Sequence, residues 1–254
     1  MKKIVILNQS TLDDSYSEVD KACKNTWGSL HRDGLLILHY YGMYDNQFQV
    51  TSKFKVPNEE DKYIVDDNIN LVLNTYDSTY PKEHQYYHIN NDSRGEKLIL
   101  SLEYCLDNLE FDFLLRTTCT SYVDIDKLLS YVDRLPDKKV YNGARNMYNY
   151  KIYFTSGYCS LMSRDVVEKV VENQDLFFSY GMPEDLSVGR LIIHDLNITT
   201  FDEQDNFHLV LNTISMEKIE EFQFKNHTDF LVYRSHKKQS KNMYHIHNEI
   251  TGNM

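Results

Sequence analysis

Basic residues are in deficit: the 254-residue chain has 27 Lys and Arg against 38 Asp and Glu, a formal net charge of −11. Because affinity for nucleic acid is dominated by cations that neutralise phosphates, this balance argues against a protein whose main task is holding DNA or RNA. Long hydrophobic runs are missing as well. No window approaches the ~18 uninterrupted apolar residues of a membrane span. The opening Ile4-Val5-Ile6-Leu7, between Lys3 and Asn8, is too short for a signal-peptide core. A cytoplasmic protein without a membrane span is the expectation. Cys23, Cys105, Cys119 and Cys159 include no Cys-x-x-Cys pair, which leaves zinc and redox motifs unsupported and reduced thiols as the default. There is no Gly-rich phosphate loop or Gly-Lys-Ser/Thr sequence, which weakens an unrelated nucleotidyltransferase-like enzyme. With only 4 Pro and no Gly-Ser linker, nothing divides the chain, and one domain over residues 1–254 is expected, its tail free to fray after about Tyr244.

What is present suits a folded core: 41% of residues are hydrophobic and 13% aromatic. Lys3 to Leu7 reads as a buried first strand. Ser15 with Glu18 makes a capping box ahead of Val19, Ala22, Cys23 and Trp27 at helical spacing. Leu35–Tyr40 and Ile69–Leu73 read as further strands, and Asp45–Lys62 as an edge hairpin or surface loop. A second capping box, Ser93 with Glu96, opens a helix carrying Leu98, Leu102, Cys105 and Leu106. Phe111–Leu115 is a strand, Asp124 caps a helix that Pro136 ends, Lys151–Thr155 is a strand, and Ser163 caps another helix. Pro183 precedes a last helical segment through Ile193. This alternation argues for an α/β fold, a mostly parallel sheet flanked by helices.

In such sheets ligands gather at the carboxyl ends of strands. The loop after Leu115, Arg116-Thr117-Thr118-Cys119-Thr120-Ser121, offers small hydroxyls and accessible amides for a phosphate or sugar, and equally suits a plain connection capped by Asp124. Ser156-Gly157 allows close approach to the backbone. Glu184-Asp185 at a helix start suits either deprotonation of a hydroxyl or simple complementation of the helix dipole. Asp124-Ile125-Asp126 is a literal DxD that capping also explains. Tyr233 to Lys238, with Arg234 and Lys237, is either a phosphate clamp or a solvated basic turn. Cys119 has no assignable His partner, which favours a packed or ligand-lining thiol over a nucleophile. Tyrosine is abundant, at 20, and suits sugar stacking and half-buried packing alike.

The order Phe111-Asp112-Phe113-Leu114-Leu115-Arg116, Thr155-Ser156-Gly157, Glu184-Asp185-Leu186-x-x-Gly189, with Lys24-Asn25-Thr26-Trp27 upstream, resembles the β-1,3-galactosyltransferase and fringe group of GT-A-fold glycosyltransferases over roughly residues 1 to 195. Arg116-Thr117-x-x-x-Ser121-Tyr122 is similar to a motif of bacterial and viral relatives. The resemblance implies a GT-A-like, Rossmann-type single domain. Its implied activity is inverting transfer from a nucleotide-sugar donor, UDP by resemblance only, to a glycan or lipid-linked glycan acceptor, with Asp185 as general base and Glu184 orienting the acceptor or tuning that carboxylate.

Donor contacts are then expected from Ser10, Thr11, Arg116, Thr118, Cys119, Thr120, Ser156, Gly157, Arg234 and Lys237. The family also holds a divalent metal, Mn or Mg, on an aspartate triplet. Here the matching positions are Thr118, Cys119 and Thr120, without a carboxylate, so no metal ligand is assigned. A late histidine serves the metal in relatives, and His194, His208, His227, His236, His245 and His247 offer no basis for choosing one. The competing expectation is a nucleotide-sugar or glycan-binding module of the same fold without turnover.

Overall fold

Strand β1 (Ile4–Gln9) is apolar on both faces because both faces of its sheet are covered. Its side chains alternate between two cores. Ile4 and Ile6 pack with Val19, Leu128 and Ile246; Val5 and Leu7 pack with Leu98, Val166 and Leu191. The computed structural model describes residues 1–44, 58, 60–66, 70–77, 93–149, 151–198, 231–234 and 240–252.

β1 lies in the middle of a seven-stranded sheet with β2 (Leu35–Tyr44), β3 (Tyr63–Asp66), β4 (Asn70–Tyr76), β5 (Phe113–Thr118), β7 (Tyr141–Tyr148) and β8 (Ile152–Ser163), in the order β3-β4-β2-β1-β5-β8-β7. The four central strands are parallel, while β3, β8 and β7 are antiparallel to their neighbours. The first core is covered by α1 (Asp14–Lys24), α3 (Ile125–Val132) and α7 (Ser240–Thr251). The second is covered by α2 (Ser93–Asn108), α4 (Arg164–Glu172), α5 (Gln174–Ser179) and α6 (Glu184–Gly189), which runs on into a π-helical turn, Arg190–Asp195. A small antiparallel ribbon joins β6 (Ser121–Val123) to β9 (Val232–Arg234). Among the described residues no helix is long and apolar enough to cross a membrane.

The α/β alternation is therefore present, with several local corrections. Helix α1 is capped by Asp13, whose carboxylate accepts from the Ser15 amide at 2.8 Å, so Ser15 lies inside the first turn rather than at the cap. Glu96 accepts from the Thr75 hydroxyl and so ties α2 to the end of β4. Asp124 caps α3 as expected, accepting from the Lys127 amide at 3.2 Å. Ser163 stands at the start of α4, but its hydroxyl donates to Asp165 at 2.6 Å instead of accepting a helix amide. The strand expected at 151–155 extends to Ser163 and turns back antiparallel against β7, a strand absent from the sequence reading. The chain end is helical to Thr251 rather than frayed, because Met243 and Ile246 are buried in the first core. Most of 45–62 lies outside the described residues.

Several polar groups inside this fold are matched. Asp20, on the buried face of α1, accepts from Ser10 and twice from the Tyr41 hydroxyl (3.0 and 2.9 Å). Lys97 and Asp77, 1% and 3% exposed, form an ion pair that also holds the loop after β1: Lys97 donates to the Ser10 carbonyl, and Asp77 accepts from Thr11 Oγ1 at 2.7 Å and from the Leu12 amide. Burial and then the Lys24 charge push His39 down to about 4, leaving it neutral beside Asn8 and the Gly28 carbonyl.

One close approach fixes where α6 can sit. A Cβ at Gly189 would lie 2.3 Å from Phe154 Cβ and 2.6 Å from both the Phe154 Cα and the Tyr153 carbonyl. Since backbone atoms cannot swing aside, Gly189→Ala is expected to push α6 off β8 and cost about 1–3 kcal/mol of stability, measured by urea unfolding.

Candidate active site

The carboxyl ends of β1 and β5 lie side by side, with Gln9 in register with Thr118. Arg116, two residues before that end, carries a 2% exposed guanidinium. Its Nη2 donates to Gln9 Oε1 at 2.6 Å and to Glu184 Oε1 at 2.7 Å, and the Tyr40 hydroxyl is 3.5 Å from Nε. Arg116 was expected to touch the donor. In the structure it is the buried counter-ion of Glu184.

Above it, β8 departs from the ladder. Between the pairs Gly143↔Ser160 and Arg145↔Thr155, only Ala144 stands on β7 against Ser156, Gly157, Tyr158 and Cys159 on β8. Such bulges re-aim the backbone. The Arg116 guanidinium passes across Gly157, where a Cβ would meet Nη1 at 2.0 Å, which accounts for glycine at that position. The amide of Gly157 donates to Asp185 Oδ2 at 3.4 Å, and Leu186 N donates to Asp185 Oδ1 at 2.9 Å. Farther along β8, Thr155 N donates to the Tyr141 hydroxyl at 3.1 Å and Tyr153 N to His194 Nε2 at 3.2 Å. Side chains thus satisfy three alternate amides of β8, and Asp185 is one of them.

The two adjacent carboxyls have opposite environments. Burial pushes Glu184 up, but Arg116 and Arg94 outweigh it and hold the group below its ordinary value. Arg94 Nε lies 3.6 Å from Glu184 Oε2, a buried oxygen with no hydrogen-bond donor among the described residues. Asp185, only partly buried by its neighbours, is raised, first by desolvation and then by the Glu184 charge, against the opposing effects of Arg116 and the two amides. A locked anion beside a carboxylate with raised proton affinity is the arrangement that separates a fixed charge from a proton acceptor.

The hydroxyl loop after β5 closes one side. Thr118 Oγ1 is 2.9 Å from Thr120 Oγ1 and 3.3 Å from Ser121 Oγ. Cys119 is 3% exposed, and its thiol is pushed up to about 12 by burial and then by Asp20, which makes it a packing group rather than a thiolate. Trp27 Nε1 donates to the Ser121 carbonyl at 2.8 Å, and Lys24 bonds Asn70 at 2.9 Å. The Lys24-to-Trp27 motif therefore braces this loop and β4 from below. Arg234, on β9, is exposed, with its guanidinium 4.8 Å over the Tyr158 ring. Ser156 accepts from Asn146 at 3.4 Å.

The structure thus brings Arg116, Gly157, Glu184 and Asp185 together and sets Thr118, Thr120 and Ser121 in one hydroxyl cluster. Ser10 and Thr11 face inward to Asp20 and Asp77. Lys237, His208, His227 and His236 lie outside the described residues. His247 bonds the Tyr122 hydroxyl at 3.0 Å, joining α7 to β6. In the literal DxD, Asp124 pairs with Lys127 at 3.0 Å and Asp126 with Arg32 at 3.2 Å. Among the described residues no group of three or more His, Cys, Asp or Glu side chains is placed to hold a metal ion. The sequence reading missed Gln9, Tyr40 and Arg94, whose partners lie far along the chain and leave no local signal. Set against known proteins, the chain matches no family model and no curated protein.

Proposed function

We propose that this chain is a glycosyltransferase with a GT-A-like fold that moves a sugar from a nucleotide-sugar, UDP by resemblance, to a hydroxyl of a glycan acceptor with inversion. The observation that carries the reading is Asp185: a part-exposed carboxylate with raised proton affinity, beside a glycine of an interrupted strand and a Glu184 locked by Arg116. In the reaction Asp185 takes the proton of the acceptor hydroxyl. The oxygen forms its bond to the anomeric carbon as the bond from that carbon to the diphosphate breaks, and the nucleotide leaves with the electron pair. Arg234, exposed over Tyr158, is the candidate cation for the departing diphosphate.

A Mn or Mg ion at the positions that the resemblance reserves for it does not fit these residues. Thr118 and Thr120 hydrogen-bond each other, and the Cys119 thiol is buried with its pKa pushed up, whereas hard cations take oxygen ligands that usually include one or two carboxylates. That donor set also favours a second reading, a nucleotide-sugar or glycan-binding module without turnover. One experiment separates them: a panel of UDP-sugars is tested for binding and hydrolysis with EDTA and with added Mn²⁺. Hydrolysis unchanged by EDTA is expected. Binding without hydrolysis, even with acceptors supplied, would support the module, and hydrolysis abolished by EDTA would return the metal.

A further inference from the structure

Three of the six large hydrophobic side chains most exposed among the described residues, Met147 (41%), Tyr148 (47%) and Tyr153 (53%), sit together at the tip of the β7–β8 hairpin. Met147 is the cross-strand partner of Tyr153, and Tyr148 that of Ile152, so Met147 and Tyr153 share one face of the hairpin and Tyr148 lies on the other. The Tyr153 ring stacks on His194, with planes 9° apart and centroids 6.5 Å apart. Single exposed aromatics need no explanation, but a cluster on one tip does.

The tip is physically continuous with Asp185. Segment 185–194, helix α6 and its π turn, packs beside β8, with Asp185 at Gly157 and His194 at Tyr153. Nine residues at helical rise, or four at strand rise, both give about 13 Å between the two contacts. The composition also points to a ligand class. From Tyr141 to Ser163 the hairpin holds Arg145 and Lys151 and no carboxylate, in a chain of net charge −11. The flat face of Tyr153 suits a polyhydroxylated chain, and local cations favour acidic units in it.

We infer that the face of the hairpin tip formed by Met147, Tyr153 and His194 is an acceptor subsite. It would hold a glycan chain, preferentially one with acidic sugars, at a distance from the hydroxyl that reacts at Asp185. This rests on the transferase reading for the role of Asp185, but binding at the tip is measurable without turnover. Energy from such a remote contact positions the reacting end, so longer acceptors are used better than short ones.

The test is binding of wild type, Met147→Ala, Tyr153→Ala and Tyr153→Phe to an array of neutral and uronic-acid-containing oligosaccharides, with Leu176→Ala on α5 as the exposed-residue control. Wild type is expected to bind acidic chains best, with affinity falling as salt rises. Met147→Ala and Tyr153→Ala should each weaken binding about twofold to twelvefold, from the ~0.5–1.5 kcal/mol of a stacking contact, while Tyr153→Phe and Leu176→Ala match wild type. Absence of oligosaccharide binding by wild type, or equal binding by the alanine variants, overturns the subsite. Association with phosphatidylglycerol vesicles that the same alanines abolish overturns it in favour of a membrane-facing tip. Failure of the transferase reading would show instead as a lack of UDP-sugar hydrolysis in wild type.

Discussion

Asp185→Asn is expected to lower donor turnover by ~10²–10⁴ while leaving the protein as stable as wild type or more so at neutral pH. The first half follows from the role of a positioned base. The second follows from the direction of its titration. Asp185 has a raised pKa in the folded chain, so its protonated form is the one that folding favours. The stabilisation is complete below the unfolded value, ~3.9, and is lost as pH rises through the folded value. At pH 7 the ionised carboxylate therefore opposes folding, and a neutral amide removes that opposition while its oxygen can still accept from Gly157. Urea unfolding at pH 7 and near pH 4 checks this: the advantage of the Asp185→Asn variant over the wild type should shrink at the lower pH. Equal loss of activity and stability would instead mean that Asp185 serves only to satisfy the Gly157 amide. Functional carboxylates retained at a cost to stability are a recurrent feature of active sites.

How far the sequence foretold this arrangement depends on the range of the physics involved. The parallel centre of the sheet was legible because buried strands such as Ile4–Leu7 and Phe113–Leu115 are short apolar runs bounded by polar residues. Helix α3 was legible because its cap directly precedes its first buried side chain. β7 was not: Tyr141-Asn142-Gly143-Ala144-Arg145 has polar residues and a glycine where a strand pattern would need alternation, and it is held in place by pairing with β8. Glu184-Asp185 could be singled out as a pair, but nothing local distinguishes the two carboxyls. The difference comes from Arg116, 68 residues away in the chain, and from Arg94 on α2. The exposed hairpin tip was illegible for the same reason, since 20 tyrosines look alike until burial separates them.

Arg116→Met should have the second large effect, a loss of about 3–5 kcal/mol of stability, because it strands a buried Glu184 carboxylate. Arg94, at 3.6 Å and 46% exposed, is too distant and too solvated to replace a 2.7 Å buried partner. The loss should be greatest at neutral pH. Glu184 is held below its ordinary value in the fold, so its contribution is present above the unfolded pKa, ~4.3, and disappears as pH falls through the folded value. Replacing both partners, Arg116→Met with Glu184→Leu, should recover much of the stability, since apolar packing often substitutes for a buried ion pair without cost. Activity separates structure from function here. Asp185 must be ionised to accept a proton, so kcat/KM rises with pH through its pKa. Glu184→Gln deletes the like charge that raises that pKa, and the acid limb of the profile should move to lower pH; Arg116→Met deletes an opposing cation and should move it higher. Opposite displacements from two variants that both lose stability cannot come from unfolding alone. Limbs that stay in place in both would remove Arg116 and Glu184 from any role in setting the base.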